Sequence, residues 1–210
     1  MTKEELLEPL ERTRTGEVVV TTMGIVRPWA RLSGSVLDFA SADSAMGHAA
    51  DLALGIALAR PDRNVICLNG DGSMLMSLGT LATIVQSRAR NLVLFVIQNQ
   101  TYEITGNQPV PGAGRLDFAT LARGAGFERV YSFDDPTIYA RRLHEVLQGP
   151  GPVFVAVKVE AGEEAPLQRG EQVSEPYLQP SLAQSAHGLR AALAKSIRQK
   201  QGANTPSERA

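Results

Sequence analysis

The sequence predicts an α/β fold, with a doubly wound, mostly parallel sheet, helices on both faces and a C-terminal helical extension. Segments rich in β-branched residues alternate with segments of helical periodicity along most of the 210 residues. The strand predicted at 91–98 carries an unbroken apolar run, as expected for a strand buried on both faces of a parallel sheet. A Gly-Asp-Gly-Ser turn at 70–73 joins a strand to a helix, at the edge where such folds bind ligands.

The predicted elements follow from hydrophobic periodicity. The strands share short runs rich in β-branched residues, and we expect them at 17–22, 36–40, 64–69, 91–98, 129–132 and 153–159. The helices share apolar residues at helical spacing, and we expect them at 3–14, 27–32, 46–60, 73–88, 116–124 and 136–147. The segment 99–114 is predicted to be a loop. Helix 46–60 is apolar nearly all round, so we expect it to be buried on all sides.

The organisation of the chain is predicted from composition. We expect residues 1–160 to form one domain. Residues 161–180 are rich in Glu, Gln and Pro, which indicates a linker or an arm that follows the surface. Residues 181–200 are predicted to form an amphipathic C-terminal helix, and the polar residues 201–210 a disordered tail.

Composition limits the partners and the compartment. The formal net charge of −1 gives no reason to expect nucleic acid or an anionic membrane surface as a partner. No run approaches the roughly 18 apolar residues of a membrane span, and the charged N-terminus lacks the apolar region of a secretory signal. Cys67 is the single cysteine, lies in an apolar run and is expected to be a buried thiol. We therefore predict a cytoplasmic protein.

The turn at 70–73 predicts a phosphate site that contains a metal ion. Gly70 and Gly72 permit close approach of the backbone, and Ser73 with the first amides of the helix can hold phosphate oxygens. The carboxylate of Asp71 would repel a bare phosphate, but a divalent cation between them would remove the conflict. The next strand ends at Asn99, whose amide oxygen would meet Asp71 at the same edge of the sheet.

Two other phosphate-binding motifs fit the sequence less well. A P-loop ends in Gly-Lys-Ser or Gly-Lys-Thr, which this chain lacks. A dinucleotide-binding turn has three glycines at fixed spacing, and Leu75 occupies the third position. Asp-Gly is also common in ordinary turns, so the four residues alone leave a purely structural turn open.

The wider pattern resembles the metal–diphosphate motif of the thiamine-diphosphate (ThDP) enzymes. Gly70-Asp71-Gly72-Ser73 is followed after twenty-five residues by Asn99, which comes directly after a predicted apolar strand. The stretch 70–108, with Tyr-Glu-Ile-Thr-Gly-Asn-Gln at 102–108, is most similar to small decarboxylases that act on sulfopyruvate and phosphonopyruvate. The resemblance implies that residues 1–160 form the diphosphate- and Mg²⁺-binding domain of such an enzyme.

The resemblance implies roles for individual residues. Asp71 and Asn99 would bind Mg²⁺, with the carbonyl oxygen of Thr101 as a third ligand. The residues implied to contact the cofactor are Thr22, Gly24, Ser44, Met46, Gly70, Gly72, Ser73, Asn99, Thr101, Tyr102 and Thr105.

The segment Ser44-Ala45-Met46-Gly47 resembles the Gly-Ser-Met-Gly segment of these enzymes. Met46 would be the catalytic apolar prop that bends the cofactor, and its amide would donate to the pyrimidine ring. The carbonyl of Ser44 would accept from the 4′-amino group of that ring. In the bent cofactor the thiazolium ring acts as an electron sink for loss of CO₂ from a 2-oxo acid.

Three further side chains have two interpretations. His48 is a candidate acid–base group on the substrate side, because its unperturbed pKa is near ~6.5. It could equally be a helix-start residue that hydrogen-bonds locally. Tyr102 and Glu103, on the predicted loop, could face either substrate or solvent.

The resemblance also implies a partner. ThDP catalysis needs a glutamate from a pyrimidine-binding domain, and no glutamate here stands in a recognisable context of that kind. We therefore expect one subunit of a hetero-oligomer, a 2-oxoacid decarboxylase completed by an alpha-type, pyrimidine-binding subunit. A carboligase similar to acetolactate synthase and a non-catalytic scaffold are the alternatives. The substrate is expected to be a small 2-oxo acid.

Overall fold

The computed structural model describes residues 1–41 and 46–203, and of residues 196–203 only the backbone. Six strands form one parallel sheet, and two short strands form a separate antiparallel ribbon. The sheet strands are β1 (Val18–Thr21), β2 (Asp38–Ala40), β3 (Val65–Gly70), β4 (Leu92–Gln98), β7 (Arg129–Phe133) and β8 (Val153–Lys158). The ribbon consists of β5 (Thr101–Tyr102) and β6 (Gln108–Pro109).

Of the described α-helices, the first precedes β1, the last follows β8, and the others connect the strands. They are α1 (Lys3–Thr13), α2 (Val26–Leu32), α3 (Ala49–Ala59), α4 (Asp71–Leu75), α5 (Gly79–Ser87), α6 (Phe118–Ala125), α7 (Pro136–Leu147) and α8 (Leu182–Ala203). Short 3₁₀ turns lie at Met23–Ile25, Glu103–Thr105 and Pro176–Leu178. Asp117 and Asp135 begin α6 and α7, each accepting a hydrogen bond from a backbone N–H of the first turn.

The strand order is β2-β1-β3-β4-β8-β7, with every neighbouring pair parallel. Apolar side chains alternate between the two faces of the sheet, so each face has its own core. One core includes residues of α3, α5, α6 and α8, and the other includes residues of α1, α2 and α7. The predicted doubly wound α/β fold is confirmed.

The point where the chain reverses direction across the sheet lies between β1 and β3. From β1 the chain passes outward to β2, and it then returns to the other side of β1 to form β3 and β4. In open α/β sheets a crevice forms at this point, beyond the carboxyl ends of the two strands. Thr22 follows β1 and Asp71 follows β3, so both lie at that crevice.

Three local predictions were wrong. The helix expected at 73–88 is interrupted between α4 and α5, where Ser77 donates its hydroxyl hydrogen bond to the carbonyl of Gly47. The loop expected at 99–114 contains the β5–β6 ribbon. The helix expected to be buried on all sides, α3, leaves Leu52 and Leu58 exposed, because one of its faces is covered by no described element.

The segment 161–180 follows the surface as an arm. Arg31 forms an ion pair with Glu164, at 2.9 Å, and Arg169 donates to the carbonyl of Ala40, at 2.6 Å. Tyr177 donates to the carbonyl of Val26 at 2.9 Å and lies 2.9 Å from the hydroxyl of Thr21. These contacts fasten the arm to α2 and to the ends of β1 and β2.

Candidate functional site

A cavity of about 260 Å³ lies at the crevice between β1 and β3. Eleven of the thirteen residues proposed from the sequence line it, and all eleven come from four segments that meet at this edge. They are Thr22, Gly24, Met46, Gly70, Asp71, Gly72, Ser73, Asn99, Thr101, Tyr102 and Thr105. The structure therefore brings together residues that are up to 83 positions apart, because parallel strands end at the same edge.

Asp71 supplies a buried negative charge to the cavity. The residue is only 3% exposed, and its two side-chain oxygens accept hydrogen bonds from the backbone N–H groups of Gly72 and Gln100, at 2.7 and 2.8 Å. Burial raises the pKa of the Asp71 carboxyl, and these two hydrogen bonds partly oppose that rise. No lysine, arginine or histidine of the described residues forms an ion pair with it.

Asn99 and Thr101 offer neutral oxygens beside this carboxylate. The side-chain oxygen of Asn99 accepts from the Thr101 backbone N–H at 3.2 Å and has a second lone pair free. Beside the ribbon the backbone N–H of Val110 donates to the carbonyl of Gln100 at 3.0 Å, so the carbonyl of Thr101, the next residue along the chain, points away from β6. No three His, Cys, Asp or Glu side chains of the described chain cluster as metal ligands. A cation at Asp71 would therefore depend on these amide and carbonyl oxygens.

Ser73 connects the Gly-Asp-Gly-Ser turn to the segment that carries Met46. Its hydroxyl oxygen accepts from the backbone N–H of Gly47 at 2.9 Å, so its own O–H can still donate to a ligand. Gly47 has a φ of 91°, in the left-handed region that favours glycine. This bond and the one from Ser77 hold Met46 at the wall of the cavity.

At Gly72 the turn packs closely against the ring of Tyr102. A Cβ atom added there would lie 2.5 Å from Tyr102 Cε1 and 3.1 Å from Val110 Cγ1. Only glycine permits this contact without movement of the ring. Tyr102 is half-buried in the cavity wall.

Glu103 is a buried member of the lining whose contacts could not be read from the sequence. Both of its carboxylate oxygens contact the Nζ of Lys3, at 2.6 and 2.7 Å, and the side chains are 2% and 8% exposed. Lys3 also donates to the carbonyl of Gly24 at 3.2 Å. Lys3 was missed because it stands 100 residues away on the first helix, where a lysine normally indicates a solvated face.

Two of the thirteen proposed residues are not among these eleven. Ser44 falls outside the described residues. His48 lies outside the cavity lining at the start of α3, with a side chain 72% exposed and 3.3 Å from Asp51 Oδ2. That position agrees with the local hydrogen-bonding alternative, and a catalytic role for His48 stays a prediction.

The chain matches the family model of the thiamine pyrophosphate enzyme C-terminal TPP-binding domain over residues 21–157. The beta subunit of sulfopyruvate decarboxylase from Methanothermobacter thermautotrophicus is 36% identical over 117 residues, covering 56% of this chain and 60% of that protein. Phosphonopyruvate decarboxylase from Streptomyces hygroscopicus is 35% identical over 139 residues, covering 65% and 32%. These matches confirm the resemblance.

A solved structure supports the fold. The X-ray structure assigned to a thiamin diphosphate-dependent enzyme from Mycobacterium smegmatis superposes with a TM-score of 0.63 at 24% identity, covering 76% of this chain and 31% of that one. The match covers less than two thirds of the length of each of these relatives. None of the described helices is long and apolar enough to cross a bilayer.

Proposed function

Because the chain belongs to the thiamine pyrophosphate enzymes as a C-terminal TPP-binding domain, we propose that its cavity binds ThDP through Mg²⁺ in a 2-oxoacid decarboxylase. The observation that carries the proposal is Asp71, a carboxylate buried at the end of β3 that forms no ion pair with any cationic side chain of the described residues. A buried charge of this kind is costly unless a counter-charge is present. A magnesium ion bound to a diphosphate supplies that counter-charge.

The residues around Asp71 fit this ligand. Mg²⁺ prefers hard oxygen ligands and is commonly held by one or two protein oxygens together with phosphate oxygens. We propose Asp71, the side chain of Asn99 and the carbonyl of Thr101 as the protein ligands, with Gly72 and Ser73 next to the diphosphate. When bound, the cofactor supplies the electron sink for decarboxylation.

The other residues of the cavity would bind and orient the cofactor. We propose that Met46 supports the bend between its two rings, since Gly47 is held to Ser73 beside it. Thr22 and Gly24, which follow β1, would contact the cofactor from the opposite wall. Thr105 and Tyr102 would close the cavity from the ribbon side, where they separate the bound cofactor from water.

We also propose that an alpha-type, pyrimidine-binding subunit completes the site in a hetero-oligomer. The beta-subunit name of the relative from Methanothermobacter thermautotrophicus supports this proposal. Met76 is 63% exposed and lies against Gly47, which follows Met46 of the cavity lining, so such a subunit would cover an apolar side chain there.

Cofactor binding is tested by calorimetric titration of the chain with ThDP in Mg²⁺ or in EDTA. We expect tight binding only with Mg²⁺, and loss of at least tenfold in affinity in Asp71→Asn, because the variant removes the counter-charge for the ion. Asp134→Asn is the matched control, since Asp134 is exposed and lies outside the cavity. Equal affinities of wild type and Asp71→Asn would overturn the proposal.

The reaction is tested with the chain assembled with its partner subunit. We expect release of CO₂ from a small 2-oxo acid, with pyruvate, sulfopyruvate and phosphonopyruvate as the first candidates. A condensation product from two pyruvate molecules would instead indicate a carboligase. Full activity of an Asp71→Ala complex would indicate a scaffold subunit.

A further inference from the structure

Glu103 connects three segments of the molecule at the edge of the cavity. Its carboxylate binds Lys3 of α1, and it accepts from the side-chain N–H of Asn99 at 2.8 Å. It also accepts from the backbone N–H of Glu164 in the arm at 3.1 Å. All of its partners are donors, as a carboxylate requires.

The contact with Asn99 fixes which way that amide faces. The NH₂ and oxygen of an asparagine side chain have nearly the same shape, so packing alone selects poorly between the two orientations. A carboxylate can only accept hydrogen bonds, so the NH₂ of Asn99 must face Glu103. The oxygen of Asn99 is then directed away from Glu103, to the side where it accepts from Thr101.

The space around Glu103 is shaped to hold the carboxylate in one place. A Cβ atom added at Gly24 would lie 3.0 Å from Glu103 Oε2, and one added at Gly162 would overlap Oε1. Glycines at both positions therefore let the backbone close around the charged group. Because Lys3 contacts both carboxylate oxygens, the carboxylate cannot rotate, or give up a contact to water, without breaking part of the ion pair.

A buried ion pair such as Lys3–Glu103 contributes little net free energy to the stability of the fold. Desolvation of two charges offsets most of their attraction, and apolar pairs of similar volume are often at least as stable. The Lys3–Glu103 pair is better explained by its effect on the orientation of the Asn99 side chain. Groups that orient a metal ligand commonly change metal affinity by about 10- to 100-fold when they are removed.

We propose that Glu103 is a positioning residue for the metal site, with Lys3 as its anchor. Glu103 turns the amide oxygen of Asn99 toward the ion and keeps the NH₂ away from it. This inference rests on the proposed function, because it assigns Glu103 a role only if Asn99 binds the cofactor's metal. It adds a charged pair, from α1 and from the 3₁₀ turn Glu103–Thr105, to the residues that determine metal affinity.

The test compares Mn²⁺ binding, followed by electron paramagnetic resonance in the presence of ThDP, in complexes assembled from variant chains. Glu103→Gln alone leaves the Lys3 charge buried without its partner, which can prevent folding. The double variant Lys3→Met/Glu103→Gln removes both charges and keeps the side-chain volumes. Urea unfolding of each chain shows which variants retain wild-type stability.

We expect the double variant to fold with near wild-type stability and to bind Mn²⁺ about 10- to 100-fold more weakly, because a glutamine no longer forces the Asn99 NH₂ to one side. The loss should disappear when Asn99 is absent. Addition of Lys3→Met/Glu103→Gln to Asn99→Ala should change Mn²⁺ affinity by less than twofold. A purely structural role would lower affinity equally in both backgrounds.

Two outcomes separate this inference from the proposed function. If the wild-type complex binds Mn²⁺ with ThDP and the folded double variant binds it equally well, the positioning role is overturned and the cofactor site stands. If the wild-type complex binds no Mn²⁺ with ThDP, the proposed function is overturned and the positioning role with it.

Discussion

The close approach at Gly72 predicts a specific defect in Gly72→Ala. The new Cβ would lie 2.5 and 2.9 Å from two carbons of the Tyr102 ring and 3.1 Å from Val110. Carbon atoms in favourable contact are about 3.5–4.0 Å apart, so the ring must retreat by roughly 1 Å. Overpacking of this kind costs about 1–3 kcal/mol. The ribbon carries the residues that line the cavity from that side, so ThDP affinity should fall as well.

Urea unfolding and ThDP titration of the full chain measure these two effects. Gly55→Ala is the matched control, because Gly55 lies in the middle of α3 with nothing within 4 Å, so alanine should stabilise the helix by about 0.5–1 kcal/mol. Tyr102→Ala should rescue Gly72→Ala, so the double variant should be more stable than the sum of the two single changes predicts. A Gly72→Ala chain with wild-type stability, or purely additive effects, would refute the steric reasoning.

Three further predictions concern stability. Asp117→Ala should cost about 1 kcal/mol in urea unfolding because it removes the side chain that begins α6. The hydrogen bond from Thr120 lowers the pKa of the Asp117 carboxyl in the folded chain. The stabilisation that Asp117 gives should therefore be present above the pKa of the unfolded carboxyl and be lost as pH falls through the lower pKa of the folded one. If the free energy of unfolding of Asp117→Asn depended on pH as steeply as that of the wild type, this prediction would be contradicted. Tyr177→Phe should cost about 1–3 kcal/mol, because the carbonyl of Val26 and the hydroxyl of Thr21 lose a partner, and an unchanged urea midpoint would count against the arm contact. ThDP with Mg²⁺ at 100 times its Kd should stabilise the chain by about 2.7 kcal/mol, and EDTA should abolish that gain in a thermal melt.

The fold was predictable from the sequence because it depends on patterns that repeat along the chain. The apolar run of β4 and the β-branched run of β3 each predicted a buried strand, and each strand lies within two residues of its predicted bounds. The α4–α5 break was not predictable, because it depends on the bond from Ser77 to Gly47, which lies thirty residues earlier in the chain. The exposed face of α3 was also missed, since composition does not show which faces of a helix are covered.

The candidate site was predictable to the extent that its residues follow strands. Asp71 and Asn99 each directly follow the last residue of a parallel strand, so the topology alone places them at one edge of the sheet. Lys3 has no such signal: its partner is 100 residues away, and only tertiary packing makes it buried. Ion pairs between distant elements leave no periodic trace in a sequence.

The arm also has a consequence for how copies of the molecule meet. An edge strand with free backbone groups is a template for pairing with another chain and hence for aggregation. β2 is the edge strand next to β1; it is only three residues long, and Arg169 of the arm donates to the carbonyl of its last residue, Ala40. The arm therefore blocks that edge of the sheet. A second copy of the chain would have to displace Arg169 before its own strand could pair with β2.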